Sequence, residues 1–234
     1  MLESGEVKLE DIWFSDETSL SVNKLGYNRR NDAVYRHEDQ PMDSMPDSLR
    51  YAAKVHFAKG FVAAAAISKS GQTGRTPISV LPEGQIVDQS YYKHMMQSHY
   101  VPNIKASIGR GGKWVWQQDN ARPRVAKSVR EYFKSAGIEV LPWPGSSPDL
   151  NPLDYGYWAC LKDDIRRKLP RNLGDIKGCL VEAHNEFDRQ RLNNIIDAFP
   201  GRLRRCVELG GEELGASEGI SSGRAGDSLM DVDK

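Results

Sequence analysis

The segment from Trp114 to Trp158 constrains this chain most, because it predicts a strand–helix–strand–helix unit that carries two well-spaced aspartates. Its first strand is the aromatic and β-branched run Trp114-Val115-Trp116, which is typical of a buried strand. Gln117-Gln118-Asp119-Asn120 follows directly. Asp119 is therefore predicted at or just past the carboxyl end of a strand, where α/β sheets build their sites.

The rest of this unit contains a second aspartate. A helix is predicted from about Pro123 to Ala136 with Gly137 as its C-cap, and Ile138–Leu141 returns as a strand. After a turn rich in Pro, Gly and Ser, the run Asn151-Pro152-Leu153-Asp154 opens another helix, with Asn151 at the N-cap, Pro152 at N1 and Asp154 at N3. With 34 residues between them, Asp119 and Asp154 can meet in such a unit.

A third aspartate ends an earlier predicted strand. The run Asp11–Glu17 is apolar up to Ser15-Asp16, and the alternating residues Thr18–Val22 are predicted to pair with it as the next strand. An Asp at a strand end is usually a turn residue, so the residues alone leave the role of Asp16 open. Glu17 points to the opposite side if the strand continues, and we leave it out of the candidate site.

The remaining pattern completes an α/β fold with a mixed central sheet flanked by helices. Strands are predicted over Gly60–Ser68 and Thr76–Leu81, and a helix capped by Asp88 runs to about Tyr100. After Asp154 the helix continues to about Lys168. Further helices are predicted over Asp175–Phe187, Gln190–Ala198 and Arg202–Leu209, whereas residues 28–50 are predicted to form a surface loop.

Composition narrows the class of protein only slightly. Lys plus Arg and Asp plus Glu are balanced at 32 each, which argues mildly against a dedicated DNA-binding module, since such modules are usually basic. The three cysteines form no C-x-x-C pair and are predicted to be small buried residues of a reduced protein. No signal peptide is apparent, and the longest apolar run, Phe61–Ile67, is too short to span a bilayer, so no membrane is expected.

Four short motifs give the chain a family resemblance. They are the F-S-D-E run ending at Glu17, the Q-Q-D-N-A box around Asp119, the W-P turn at Trp143, and the S-P-D-L-N-P box ending at Pro152. Together, in this order, they resemble the catalytic core of the mariner superfamily of cut-and-paste DNA transposases. The likeness extends from about residue 8 to about residue 210. It implies a ribonuclease H-like catalytic domain over 11–210. Residues 1–10 are a charged lead-in, and residues 211–234, which are rich in Gly, Ser, Glu and Asp, are predicted to be a disordered tail.

The resemblance also implies a chemistry and a setting. Asp16, Asp119 and Asp154 occupy the places of the family's catalytic, metal-binding carboxylates, which implies two Mg²⁺ or Mn²⁺ ions and the cleavage and transfer of DNA strands. The implied partners are the DNA of the transposon ends and target, with a possible homodimer, and the implied location is the nucleus.

Basic residues near these boxes are candidates for contacts with DNA phosphate. Arg122, Arg124 and Lys127 are predicted in the first turn of a helix, where the helix dipole also favours anions, and Lys162 follows Asp154. A solvated basic face explains such clusters about as well. The family usually has His at the position of Arg124.

Two other interpretations remain open. Family members carry paired helix-turn-helix modules upstream of the core, and we expect none in this chain. That expectation and the departure at Arg124 favour an inactive or co-opted remnant that binds nucleic acid or dimerises. A ribonuclease H-like nuclease acting on RNA–DNA hybrids shares the implied fold and metals but lacks the S-P-D-L-N-P box.

Overall fold

The structure is a computed structural model that describes residues 6–21, 60–109, 111–212 and 214. The first five residues, the predicted loop over 28–50, and the predicted tail from residue 215 onward lie outside the described residues, as does the end of the predicted strand at Val22.

A five-stranded mixed sheet forms the centre of the fold, with the strand order β3-β2-β1-β4-β5. Its strands are β1 (Ile12–Ser21), β2 (Gly60–Ile67), β3 (Ser79–Val80), β4 (Val115–Gln117) and β5 (Glu139–Val140). β1, β2 and β3 pair antiparallel, whereas β1, β4 and β5 pair parallel. The predicted fold class, a mixed sheet flanked by helices, is confirmed.

The prediction that Thr18–Val22 forms a separate strand is wrong. β1 continues without a turn from Ile12 to Ser21, and its antiparallel partner is β2, with Ser21 opposite Gly60 and Phe14 opposite Ile67. The sequence between Glu17 and Ser21 contains no Gly, Pro or Asn that would favour a tight turn, so the alternating pattern extends one strand.

The helices follow the predicted order with shifted boundaries. They are α1 (Gln89–Met95), α2 (Val101–Ile108), α3 (Lys127–Ala136), α4 (Trp158–Arg167), α5 (Leu173–Asn185), α6 (Arg189–Asp197) and α7 (Phe199–Glu208). A π-helical turn, Met96–Tyr100, joins α1 to α2, and another, Leu153–Tyr157, leads into α4. Pro200 and Gly201 lie inside α7, because a proline in the first helical turn needs no N–H partner.

Caps explain where several of these helices begin or end. The side chain of Asp88 accepts from the N–H of Tyr91 at the start of α1, as predicted. Gly137 ends α3 in the left-handed conformation, with φ of 65°, as predicted for a C-cap. α3 begins at Lys127 and not at Pro123, because residues 122–125 form a turn before it.

The sheet is covered on both faces. Ile12 and Phe14 of β1 face a core made with α4 to α7, whereas Trp13, between them, faces a second core made with α1, α2 and α3. The run Ala63–Ala66 alternates between the same two cores, and all four side chains are fully buried. Because both faces are covered, β1 and β2 have nearly continuous apolar patterns. Within the described ranges no helix is long and apolar enough to span a bilayer.

Candidate active site

Pairing between β1 and β4 places Asp16 beside Asp119. The two strands are parallel, with Phe14 opposite Gln117. Asp16 and Asp119 each lie two residues further along, so they reach the same edge of the sheet. Two hydrogen bonds fix this register beyond the ladder, from the N–H of Ser15 to Gln117 Oε1 (3.1 Å) and from Ser15 Oγ to the carbonyl oxygen of Gln117 (2.7 Å).

Asn151 brings the third aspartate to the same place. Its Nδ2 donates to the carbonyl oxygen of Ser15 (3.2 Å), next to Asp16, and its Oδ1 accepts from the N–H of Leu153 (3.1 Å). The second bond is the predicted capping role, and the first ties the beginning of this helical segment to β1. Asp154 follows one turn later, and its N–H donates to the carbonyl oxygen of Asn151 (3.0 Å).

The three predicted aspartates line one cleft of about 450 Å³. Its wall is completed by the turn that follows β5 and by residues after β4, namely Asn120, Ala121, Trp143, Gly145, Ser146, Ser147, Pro148 and Asn151. Asn120 holds this turn, since its Nδ2 donates to the carbonyl oxygen of Trp143 (2.7 Å). The cleft lies where parallel strands end, as the sequence predicts.

The carboxyl groups of Asp16 and Asp154 lie close enough for each to shift the pKa of the other. Burial raises the pKa of Asp16, although Trp158 Nε1 donates to its Oδ2 (2.8 Å) and favours the ionised form. Burial of its carboxyl group and the charge of Asp16 raise the pKa of Asp154 to about 7, even though the residue as a whole is exposed. Two carboxyl groups this close share a proton more readily than they carry two charges.

Asp119 is held differently. Its Oδ1 accepts from the N–H of Ala121 (2.9 Å) and lies 3.0 Å from Nη1 of Arg124. Arg124 also pairs with Glu17, which points to the opposite side of β1 from Asp16, as expected for neighbouring residues of a strand. Burial raises the pKa of Glu17, and Arg124 opposes that shift.

Arg124, predicted as a candidate for contact with DNA, lies in a buried position in this structure. Only 7% of the residue is exposed, and the guanidinium group is occupied by Glu17 and Asp119. Arg122 is exposed and Lys127 almost fully so, hence both stay candidates. Lys162 lines a second cleft of about 470 Å³ together with Asp154, Trp158 and Arg166. Asp154 lies at the border of both clefts.

Oxygen ligands alone line the predicted metal site, which suits Mg²⁺ or Mn²⁺. Across the described residues, no three Asp, Glu, His or Cys side chains are gathered closely enough to hold a metal ion. Mg²⁺ is commonly bound by one or two carboxylates, with water and substrate phosphate completing its shell, so the close pair Asp16–Asp154 with Asp119 across the cleft fits this ion.

Sequence reasoning missed three residues that support the site. Trp158, four residues after Asp154 and therefore on the same helix face, donates to Asp16. Asp149 lies in the S-P-D-L-N-P box, where its Oδ2 accepts from the N–H of Leu214 (3.1 Å) and its carbonyl oxygen accepts from Arg202 Nε (2.6 Å). Leu214, which falls in the predicted tail, is buried.

Comparisons with known proteins identify relatives of this chain and structures with a similar fold. No protein-family model matches the chain. The Tc1 transposase of Caenorhabditis elegans is 28% identical over 134 residues, and the Tcb2 transposase of Caenorhabditis briggsae is 25% identical over 126 residues. Each match covers 54% of this chain and 45% of the relative, so the chain spans less than half the length of these transposases.

The homologues of this chain are Tc1/mariner transposases. The fold is mariner-like as well. A Mos1 mariner paired-end complex with Mn has a TM-score of 0.74 at 21% identity, covering 91% of this chain and 59% of that one. A paired-end complex with Mg gives 0.72, and the Mos1 catalytic domain solved by itself gives 0.61 at 19% identity, with 88% of that domain covered. These likenesses establish the ribonuclease H-like fold, and the predicted resemblance is confirmed.

One relative carries a different name. The human histone-lysine N-methyltransferase SETMAR is 26% identical over 188 residues, which is 79% of this chain and 26% of that protein. A segment similar to this chain is thus found in a protein that is not named as a transposase.

Proposed function

We propose that this chain is the catalytic domain of a cut-and-paste DNA transposase, which cleaves DNA strands and joins them to a target in the nucleus. The observation that carries the proposal is the convergence of Asp16, Asp119 and Asp154 on one cleft, from a strand, a strand end and a helix start. The transposase relatives support it independently of the geometry.

Asp16, Asp119 and Asp154 would hold two Mg²⁺ or Mn²⁺ ions, in keeping with the Mos1 complexes solved with Mn and with Mg. Such ions, when bound, stabilise the charge that develops on the attacking and leaving oxygens of a phosphodiester. Ion binding favours the ionised form of both carboxyl groups, so it competes with the proton that burial and the charge of Asp16 favour on Asp154. Trp158 keeps Asp16 oriented throughout, because its indole N–H donates to Oδ2.

Two basic surfaces flank the carboxylates and suit a DNA strand. Arg122 and Lys127 lie just after Asp119, and Lys162 and Arg166 line the second cleft beyond Asp154. A strand whose reacting phosphate lies at the aspartates would extend toward these cations, which would hold its backbone without reading its sequence. The paired-end character of the Mos1 complexes supports transposon-end DNA as the substrate and a homodimer as the working form.

The decisive assay is nicking of supercoiled plasmid with Mg²⁺ or Mn²⁺ present. We expect the chain to nick plasmid only with metal and to join a labelled oligonucleotide with a free 3′-hydroxyl to the plasmid. Asp119→Ala should abolish both reactions, whereas Glu208→Ala, on an exposed face of α7, is the matched control and should keep them. Nicking without joining would indicate a nuclease, and equal nicking by wild type and Asp119→Ala would refute the proposal.

The relative SETMAR favours a second candidate, a co-opted domain that binds nucleic acid without cutting it. The presence of all three aspartates argues for the catalytic function. Metal-independent DNA binding, together with no nicking in either metal, would favour the co-opted domain.

A further inference from the structure

The charged pair Glu17–Arg124 contacts Asp119, one of the carboxylates of the cleft, and none of the roles assigned so far uses it. The Arg124 side chain is 8% exposed and that of Glu17 is 17% exposed. A buried guanidinium group requires a compensating partner, because removing a charge from water is unfavourable unless that charge is paired. Burial alone would lower the pKa of Arg124, but the charges of the Glu17 and Asp119 carboxylates oppose that effect and keep the group charged.

Contacts fix Arg124 on several sides. Its guanidinium carbon lies 5.6 Å from the centre of the Tyr92 ring. Tyr92 accepts from Trp116 Nε1 (3.1 Å) and donates to Gln118 Oε1 (2.6 Å), and Gln118 Nε2 donates to the carbonyl oxygen of Arg124 (3.1 Å). Arg124 is therefore tied through its main chain and its ring contact to β4 and α1.

Arg124 connects β4 and α1 to Asp119. Asp119 lies beyond the last paired residue of β4, and 51% of its side chain is exposed, so the sheet itself does not orient it. The two contacts that do orient it, from the Ala121 N–H and from Arg124, both reach Oδ1. A carboxylate held through one oxygen can turn the other toward the cleft.

We propose that the Glu17–Arg124 pair is a positioning device that orients the Asp119 carboxylate for metal binding. Glu17 holds one nitrogen of the guanidinium fork and balances its charge, and Arg124 holds Asp119 with the other. The inference rests on the proposed function, because it assigns Asp119 the role of a metal ligand. Neither residue of the pair lines the cleft itself, so both act through Asp119.

Titration of the purified chain with Mn²⁺, followed by electron paramagnetic resonance, tests the positioning role directly. Removal of an outer partner of a ligand commonly weakens metal binding about 10- to 100-fold. We expect Arg124→Met to raise the dissociation constant for Mn²⁺ by about that factor, with a parallel rise in the Mn²⁺ concentration that half-activates nicking. Arg124→Lys should rescue only part of the loss, since an ammonium group lacks the two-pronged geometry.

A double variant distinguishes weaker metal binding caused by lost positioning from weaker binding caused by loss of the fold. Arg124→Met leaves Glu17 buried without its partner, so Glu17→Gln with Arg124→Met removes both charges and preserves the packing. This variant should keep a native thermal transition and still bind Mn²⁺ about tenfold more weakly or worse. Arg130→Met, which removes an exposed cation from α3, is the charge control and should bind as wild type does.

The outcomes separate this inference from the proposed function. Wild-type affinity in the folded double variant, with wild type binding Mn²⁺ and nicking DNA, would overturn the positioning role alone. A thermal shift with unchanged Mn²⁺ affinity would do the same, because it would reveal a purely structural ion pair. Wild type that neither binds Mn²⁺ nor nicks DNA would overturn the proposed function and this inference together.

Discussion

Asp149 and Asp154 lie five residues apart in one box, yet the structure gives them different surroundings. Asp154 lines the cleft close to Asp16, whose charge raises its pKa, whereas Asp149 accepts from the N–H of Leu214. Asp154 also occupies the first turn of a helical segment, where an acid suits the helix dipole. The position of Asp154 therefore suits a reactive group. The position of Asp149 suits a residue that holds the C-terminal segment in place.

We predict that Asp154→Asn abolishes metal-dependent nicking but keeps the fold. Because the substitution removes repulsion between two close carboxylates, the metal-free variant should be more stable than wild type at pH 8, by on the order of 1 kcal/mol after solvent screening. Nicking assays and urea unfolding in the presence of a chelator measure the two effects.

Asp149→Asn is the matched comparison. Its amide oxygen can still accept from Leu214, so it should keep its activity and lose at most about 1 kcal/mol of stability. Loss of nicking in Asp149→Asn with activity retained in Asp154→Asn would reverse the assignment of the third ligand.

His184 makes the stability of the fold depend on pH. It is 1% exposed and bonds to the Thr76 carbonyl oxygen (2.8 Å) and the Tyr157 hydroxyl (2.7 Å). The carbonyl can only accept, so Nε2 carries the proton and Nδ1 accepts from Tyr157. Burial lowers the pKa of His184 to about 4. The unfolded chain therefore binds this proton first as the pH falls, and the folded state loses stability in that range.

We predict a loss of up to about 3 kcal/mol from this histidine as the pH falls from 6.5 toward 4. His184→Gln retains one donor and one acceptor without titrating, so it isolates the effect from the other acids and bases. Urea unfolding of both proteins at intervals of half a pH unit should give two stability curves whose separation changes as the pH falls below 6.5. Parallel curves would mean that His184 is not held neutral.

At the scale of elements, the key connection is the one between β1 and the helical segment that begins after Asn151. The side chain of Asn151 forms this connection, because it donates to the carbonyl oxygen of Ser15 and accepts from the N–H of Leu153. The helix start and the strand thus share one fixed point, and Asp154 and Asp16 flank it.

Asn151→Asp tests this connection. The carboxylate can still accept from Leu153 as a cap, but it cannot donate to Ser15 and adds a third negative charge near Asp16 and Asp154. We expect a loss of about 1–3 kcal/mol of stability, measured by urea unfolding, and a larger fall in nicking than in Asn151→Ser. Equal nicking by the two variants would show that the contact to Ser15 does not position Asp154.

The sequence predicted those elements whose signals are local. The strand before Asp119, the Gly137 cap, the Asn151 cap and the buried strand at Ala63–Ala66 all follow from nearby residues. The break predicted after Glu17 failed, since the partner that extends β1 to Ser21 is β2, and its first residue is Gly60. Local patterns do not reveal how far a distant partner strand extends pairing.

For the molecule as a whole, the candidate aspartates could be predicted from the sequence, whereas the residues that hold them in position could not. The aspartates lie in short motifs with recognisable spacing. Arg124 and Glu17 are 107 residues apart, and Asn151 and Ser15 are 136 apart, so their contacts exist only once the sheet has formed. Arg124 could be interpreted from sequence only as one more cation near DNA, because burial is a property of the complete fold.

The central claim is that Asp16, Asp119 and Asp154 act as one unit, and plasmid nicking by the Asp→Asn series tests it most directly. Groups that act together give losses that do not add. We predict that each single variant and the triple variant fall to the same residual rate in Mn²⁺, at least about 1,000-fold below wild type. Losses that multiply from one variant to the next, or a single variant that retains wild-type nicking, would contradict the account.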